Sequence, residues 1–113
     1  MSAAADLLRK VQRLVSEKKY RIRIHAVRHM IAEGFSEQNI IEAITGKCKI
    51  LEDYPEESRC LVYGRFRFDE DEKIDTPLHV VCDYSQAGGI DIITGYIPQK
   101  PWWSSPTRRG KKL

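Results

Sequence analysis

Histidine is the side chain best suited to proton transfer near neutral pH, and the sequence has three: His25, His29 and His79. From Tyr20 onwards, apolar and charged residues alternate, which predicts a short strand with His25 on the face of Arg21 and Arg23. An imidazole beside two guanidiniums is what a phosphate site requires, because the ring can transfer a proton while the cations hold the phosphate oxygens. His25 is therefore the first catalytic candidate. The alternative is a histidine that caps the following helix.

His79 and Tyr96 are the other two catalytic candidates. His79 follows Leu78 in a strand pattern, so its side chain lies opposite that apolar layer and could meet His25 across the sheet. Strand alternation places Tyr96 on the face of Ile92, where its hydroxyl could orient a phosphate or donate a proton. For both residues the alternative is a packed side chain whose polar atoms are hydrogen-bonded within the sheet.

Arginines supply the predicted phosphate contacts, because a planar guanidinium matches the oxygens of a phosphate. The candidates are Arg21, Arg23, Arg28, Arg108 and Arg109. Residues 1–34 contain eight basic and three acidic residues, and residues 99–113 contain five basic and no acidic residues. The segment between these ends contains six basic and thirteen acidic residues. If both basic ends fold onto one side, that side attracts an anionic ligand. The alternative is a solvated helix and a loose tail, since a net charge of +3 is mild.

The tail combines aromatic and basic residues. Trp102 and Trp103 precede the basic residues Arg108, Arg109, Lys111 and Lys112. Such a mixture can stack a base and hold its phosphate. For Trp103 we favour the alternative, in which the indole anchors the tail onto the domain.

No pattern predicts a metal or another cofactor. His25 and His29 have the i,i+4 spacing of a helical metal pair, but no second motif supplies further ligands, so His29 is predicted to be an exposed helical residue. The acidic run from Asp69 to Glu72 lacks the glycine and the spaced ligands of a calcium loop and predicts a solvated hairpin. The cysteines, Cys48, Cys60 and Cys82, are odd in number without a CxxC pair, which predicts reduced, buried thiols in the cytoplasm.

Hydrophobic periodicity predicts helices first and strands afterwards. Apolar residues recur at helical spacing near the N-terminus and predict an amphipathic helix over about residues 3–17. Two further helices are expected, one from Ala26 to Gly34 and one from an N-cap at Ser36 to Gly46. Four strands are predicted, over residues 48–52, 60–68, 78–84 and 90–97.

This order of elements predicts an α+β fold in which N-terminal helices pack on a mostly antiparallel four-stranded sheet. A chain of 113 residues accommodates one core, so a single domain over residues 1–100 and a basic tail over residues 101–113 are expected. No apolar run reaches the length of a membrane span, and the N-terminus lacks the apolar region of a signal peptide. A cytoplasmic protein without a membrane partner is therefore predicted.

Several blocks of the sequence, in this order, resemble a small prokaryotic family known as "domain of unknown function 4258". The blocks are His25-Ala26, Gly46 to Pro55 (GKCKILEDYP), Cys60 to Gly64 (CLVYG), Pro77 to Val81 (PLHVV), Ile93 to Pro98 (ITGYIP), Trp103 and Arg108-Arg109. The resemblance extends from about Tyr20 to Arg109. Many members carry arginines at the positions that His29 and Glu33 occupy here.

The resemblance implies a fold similar to the RelE/barnase-like superfamily of small metal-independent ribonucleases, and some members lie beside antitoxin-like partners. The predicted function is therefore a toxin-like endoribonuclease whose partners are RNA and an antitoxin-like protein. One alternative is a non-catalytic module that binds RNA or a protein. Another is an RNA binder that has lost catalysis, since His29 and Glu33 depart from the arginines of the family.

Overall fold

Three helices lie on one side of the sheet in the computed structural model, which describes residues 3–69, 73–99 and 102–110. The first helix, α1 (Ala3–Ser16), forms where the apolar residues recur at helical spacing, and it buries Val11, Leu14 and Val15. It packs on the third helix and on the second strand. This confirms the predicted amphipathic helix to within one residue.

The second helix ends, and the third helix begins, where the flanking residues predict. Helix α2 (Ile24–Glu33) ends at Gly34, whose positive φ of 80° is readily adopted only by glycine. Helix α3 (Glu37–Thr45) begins after Ser36, whose hydroxyl accepts a hydrogen bond from the Asn39 N–H. The Asn39 side chain in turn accepts one from the Ser36 N–H, which completes a capping box.

Replacing Ser36 by alanine should lower the free energy of unfolding by about 1 kcal/mol, because the capped N–H loses its partner. Urea unfolding followed by circular dichroism measures this change. Ser16→Ala, at the exposed end of α1, is the matched control and should alter stability by less than about 0.5 kcal/mol. Equal midpoints for the two variants would show that the cap does not stabilise α3.

The sheet has five strands and is mixed, so the prediction of a four-stranded, mostly antiparallel sheet was incomplete. The strands are β1 (Tyr20–Ile22), β2 (Lys49–Tyr54), β3 (Arg59–Phe66), β4 (Thr76–Asp83) and β5 (Ile90–Tyr96), in the spatial order β1-β5-β4-β3-β2. The four predicted strands pair antiparallel, and β1 adds to the edge parallel to β5. Strand β1 has only three residues, and its partner lies about 70 positions later in the chain, so no pattern of neighbouring residues indicates this pairing.

Alternating residues of the central strands face the helices and form the core. Val62, Val80 and Ile92 are fully buried there, as the strand patterns predicted. Helix α3 packs closely on β3, and helix α2 packs on β5. The opposite face of the sheet is not covered by a helix within the described part of the chain.

The tail forms a short hairpin that had no signal in the sequence. Strands β6 (Trp103–Ser105) and β7 (Arg108–Arg109) pair antiparallel as a separate two-stranded sheet, here called the tail hairpin. Lys111 and Lys112 of the predicted basic tail lie outside the described residues, as do Glu70, Asp71 and Glu72 of the acidic run. Among the helices that the structure describes, none is both long and apolar enough to cross a membrane.

Candidate functional site

His25 lies at a different place from the one predicted. Strand β1 ends at Ile22, and His25 is an exposed residue in the first turn of α2. The prediction that His25 shares a strand face with Arg21 and Arg23 is therefore wrong for His25. The Arg23 N–H makes the last hydrogen bond to β5, at 2.9 Å from the Ile92 carbonyl oxygen, and the chain then turns into the helix.

Arg21 and Arg23 both pair with one carboxylate at the start of β5. The Nε atom of Arg21 lies 3.1 Å from Asp91 Oδ1, and Nη1 of Arg23 lies 3.8 Å from Asp91 Oδ2. Both guanidiniums remain about half exposed or more. These two predicted phosphate contacts thus lie together, at the end of β5 opposite to Tyr96.

A bulge in β5 determines which way Tyr96 points. Cys82 pairs with Ile92, but Val81 pairs with Thr94, so Ile93 is an additional residue in β5. Beyond this bulge the side chains of β5 change face, and Tyr96 lies opposite His79 on the face away from the helices. The prediction that Tyr96 shares the face of Ile92 is therefore wrong, because strict alternation does not hold across a bulge.

His79 is fully buried, and both of its ring nitrogens are hydrogen-bonded. Nε2 lies 2.6 Å from the carbonyl oxygen of Pro106, which only accepts, so Nε2 carries the proton. Nδ1 then accepts a hydrogen bond from the Tyr96 hydroxyl at 3.3 Å. The ring also packs edge-on against Trp103, with 4.3 Å between the ring centroids. His79 therefore joins the sheet to the tail hairpin and orients Tyr96.

Stability should depend on pH through His79. Burial lowers the pKa of His79, so the folded state resists a proton that the unfolded chain accepts. The contribution of His79 to the free energy of unfolding should be constant above a pH of about 6.5, the ordinary histidine pKa, and decrease below it. Urea unfolding between pH 5 and 8 measures the slope. In the His79→Gln variant, which does not titrate, a slope of the same size would contradict the assignment.

Trp103 and Arg109 hold the tail hairpin against the sheet. Two nitrogens of Arg109 donate to the two carboxylate oxygens of Glu52, at 2.7 and 3.0 Å. The same guanidinium lies 4.3 Å from the centre of the Trp103 ring, and that indole is almost completely buried. The expectation that Trp103 anchors the tail is therefore confirmed.

Acid should loosen this attachment. Hydrogen bonds from Arg109 hold the pKa of Glu52 below its ordinary value, against the opposing effect of burial. The pair therefore contributes stability above the ordinary glutamate pKa of about 4.3, and this contribution is lost as the pH falls through the lowered pKa. Because Arg109 is half exposed, we expect the pair to contribute about 1 kcal/mol or less to the free energy of unfolding.

The NMR resonance of the Trp103 indole N–H reports the loosening. The Glu52→Gln variant should show at pH 7 the spectrum that the wild-type protein shows in acid. If the variant and the wild-type protein gave the same spectrum at pH 7, the attachment through Glu52 and Arg109 would be disproved.

A cavity of about 500 Å³ lies between α2 and the tail hairpin. The lining residues with functional side chains are His29, Glu33, Tyr96, Trp102, Trp103 and Arg109. Trp102 is 63% exposed at this cavity, although most large apolar side chains of the fold are buried. The cavity therefore brings together an imidazole, a carboxylate, a phenol, a guanidinium and an accessible indole.

His29 and Glu33 form a hydrogen-bonded pair inside this cavity. Nδ1 of His29 lies 2.8 Å from Glu33 Oε2, and Glu33 Oε1 accepts the N–H of Ile97 at 2.9 Å. A carboxylate only accepts, so Nδ1 donates, and in the neutral ring Nε2 is the nitrogen with the lone pair. The His29 ring lies 5.0 Å from that of His25 and 6.4 Å from that of Tyr96. This is an oriented imidazole of the kind that general-base catalysis uses.

Sequence reasoning missed His29 as a site residue. It predicted an exposed helical residue, whereas the side chain is only 36% exposed and lines the cavity. The i,i+4 spacing of His29 and Glu33 on a predicted helix was the signal, because such side chains are neighbours on one face. His29 and Glu33, the two positions at which the resemblance implies arginines, thus form a single pair.

The remaining predicted site residues lie around the cavity or apart from it. Arg28 is exposed on α2 and Arg108 on β7, and neither lines the cavity. Among the described residues no group of three or more potential ligands could hold a metal ion. Cys60 and Cys82 face each other across β3 and β4, fully buried, and the hydrogen bond with Cys60 and burial raise the pKa of Cys82 well above its ordinary value. The Cys82 thiol is therefore a poor nucleophile.

The fold and site define a small α+β protein whose tail completes a cavity at one end of a mixed sheet. The chain belongs to the family described as Domain of unknown function (DUF4258), whose pattern matches residues 22–97. The match ends before the tail hairpin, so Trp102, Trp103 and Arg109 come from outside it. No curated protein and no solved structure matches the chain.

Proposed function

We propose that this protein is a metal-independent endoribonuclease and that the cavity between α2 and the tail hairpin is its active site. The observation that carries the proposal is the His29–Glu33 pair, which orients an imidazole beside Tyr96 and Arg109 in a cavity with an exposed indole. The resemblance to RelE/barnase-like ribonucleases supports it as a fold-level analogy. Free cysteines suit the reducing cytoplasm in which the protein is proposed to act.

His29 is the proposed base and His25 the proposed acid. Nε2 of His29 removes the proton of a ribose 2′-hydroxyl, whose oxygen forms a bond to phosphorus while the bond from phosphorus to the 5′-oxygen breaks. His25, whose ring is 5.0 Å from that of His29, donates a proton to the departing 5′-oxygen. The products are a 2′,3′-cyclic phosphate and a 5′-hydroxyl. Atoms and charge balance without a metal or a second reactant.

Arg109 and Tyr96 are the proposed contacts of the scissile phosphate. A guanidinium has five N–H donors, and Glu52 accepts two hydrogen bonds from Arg109. Burial raises the pKa of Tyr96, so its hydroxyl stays protonated near neutral pH, and its single hydrogen, which His79 Nδ1 accepts in the free protein, turns to a phosphate oxygen when RNA binds. His79 holds that hydroxyl in place and thus acts as a positioning residue rather than as the proton-transfer partner of His25. Arg28 and Arg108, exposed next to His29 and Arg109 in the sequence, are proposed to contact other phosphates of the RNA strand.

Trp102 is the proposed base-stacking residue. Its indole is exposed and lines the cavity, and stacking of a nucleobase on an aromatic ring contributes about 1–3 kcal/mol. Unpaired bases are accessible to such stacking, which favours single-stranded RNA.

A non-catalytic RNA-binding module is the second candidate. The resemblance implies arginines at the positions of His29 and Glu33, and their absence here favours a protein that has lost catalysis. Such a protein could still bind RNA, because base stacking and phosphate contacts need no acid or base.

An antitoxin-like protein partner is also proposed. The exposed Ile24 and Ile31, one helical heptad apart on α2, offer an apolar surface for it.

RNA cleavage in the presence of EDTA tests the proposal. Purified protein is incubated with a labelled single-stranded oligoribonucleotide and with the same oligonucleotide carrying 2′-deoxyribose throughout. We expect 2′,3′-cyclic phosphate products from the first and no cleavage of the second, which lacks the nucleophile. Intact RNA bound with measurable affinity would support the binding module instead, and RNA that is neither bound nor cleaved would contradict both.

A further inference from the structure

A second cavity, of about 540 Å³, lies at the other end of β5. It is formed by the connection between α1 and β1 and by the turn that precedes β5. Its charged lining residues are Lys18, Lys19, Arg21 and Asp91, so cations outnumber carboxylates by three to one. We call it the basic cavity.

The carboxylate in the basic cavity does not neutralise these cations. Asp91 is shared between Arg21 and Arg23, and Arg23 adds a further positive charge beside the cavity. Lys19 lies 3.1 Å from Glu17, but both side chains are about half exposed, where such a pair is weak. The basic cavity therefore attracts anions.

The turn over the basic cavity allows a ligand to approach the backbone. Gly88 and Gly89 line the cavity, and a Cβ atom built on Gly88 would meet no atom within 4 Å. The space beside this backbone is thus open, and glycine N–H groups are donors that phosphate oxygens can reach without a side chain between them.

The basic cavity and the active-site cavity lie along one edge of the protein. Helix α2 begins beside Ile92, where the Arg23 N–H bonds to β5, and ends beside Ile97, whose N–H bonds to Glu33. His25 and His29 lie on this helix between the two ends. Strand β5 has seven residues, so at 3.3 Å per residue the cavities are roughly 20 Å apart.

We infer that the basic cavity binds a backbone phosphate of the same RNA strand that is cleaved at His29, several nucleotides from the scissile bond. This inference rests on the proposed function. The substrate is then a single-stranded RNA long enough to extend from Trp102 along α2 to Lys18 and Arg21. A dinucleotide fills the active-site cavity alone and does not reach the basic cavity.

Binding of short and long RNA separates the two cavities. The variant pair Lys18→Asn and Arg21→Gln removes two charges, and asparagine suits the positive φ of 61° at position 18. Fluorescence anisotropy is measured with a non-cleavable 2′-O-methyl oligoribonucleotide of about ten nucleotides and with one of about two. We expect the longer RNA to bind about tenfold more weakly to the variant, with a smaller salt dependence, and the dinucleotide to bind unchanged.

The matched control is Lys47→Asn with Arg59→Gln. It removes the same charge and also breaks one Arg–Asp pair of the sheet, because Arg59 lies 3.3 Å from Asp83. Control and test variants that weaken the longer RNA equally would overturn the inference, since net charge alone would then explain the effect. Wild-type affinity of the test variant for the longer RNA would also overturn it, while leaving the proposed function intact.

Inorganic phosphate distinguishes failure of the inference from failure of the proposed function. In two-dimensional NMR spectra, phosphate should shift the amide resonances of Gly88 and Gly89 in the wild-type protein and not in the double variant. If phosphate shifts them but neither oligonucleotide binds, the cavity holds free phosphate and the RNA inference is wrong together with the proposed function. If RNA binds but these amides do not respond to RNA or phosphate, only the basic cavity is wrongly assigned.

Discussion

Replacing His29 by alanine should lower the rate of RNA cleavage by about 10²- to 10⁴-fold, the contribution expected of a general base. The loss follows from geometry: Glu33 fixes the ring so that Nε2 is the atom available to accept the 2′-hydroxyl proton. The imidazole is partly exposed and does not belong to the buried core, so the unfolding midpoint should change little. Single-turnover cleavage of a short oligoribonucleotide in EDTA measures the effect.

Two further variants separate catalysis from folding. Glu33→Gln keeps the shape of the side chain but weakens the fixation of the ring, so we expect a smaller loss and a changed pH profile. His25→Ala should also slow cleavage, because the departing 5′-oxygen then lacks its proton donor. Gln38→Ala, on the exposed side of α3, is the control and should cleave at the wild-type rate. Unchanged cleavage by His29→Ala would disprove the proposed mechanism.

Replacing Gly64 by alanine should destabilise the protein by about 3 kcal/mol or more, the upper range for an overpacked core. An added Cβ would lie 2.1 Å from the carbonyl oxygen of Ala43 and 2.7 Å from its carbonyl carbon. These are backbone atoms of α3, so no side-chain rotation relieves the clash, and the helix must move away from β3. Urea or thermal unfolding followed by circular dichroism measures the loss.

Gly88→Ala is the matched control for this variant, because a Cβ at that position meets nothing within 4 Å. We expect its stability to lie within about 0.5 kcal/mol of wild type. If Gly64→Ala unfolded at the wild-type midpoint, the close approach of α3 to β3 in the structure would be wrong. Loss of soluble Gly64→Ala protein during expression, with Gly88→Ala unaffected, would agree with the prediction.

Local patterns were sufficient for the elements that have local causes. The apolar stripe predicted α1, the cap at Ser36 predicted the start of α3, and Gly34 predicted the end of α2. The four long strands, of six to eight residues each, were predicted from short runs rich in apolar residues that end at turn residues. The arrangement of helices on one side of a sheet followed from the order of these elements.

The candidate site was predicted only in part. Tyr96 and Arg109 line the cavity, but His25 lies beside it and His79 beneath its wall. His29 was not predicted as a site residue. Its pair with Glu33 becomes part of a cavity only because Ile97 and the tail hairpin lie against the two side chains. A chemically useful pair on a helix looks like an ordinary solvated pair until the tertiary structure encloses it.

The sequence alone determined the three helices, the four long strands and much of the core, because these depend on neighbours within a few positions. The tertiary structure decided the parallel pairing of β1 with β5, the bulge that turns Tyr96 towards His79, and the tail hairpin that encloses His29. Each of these depends on contacts between residues far apart in the chain. Their free energy arises only when the whole core has assembled, so no local pattern of residues encodes them.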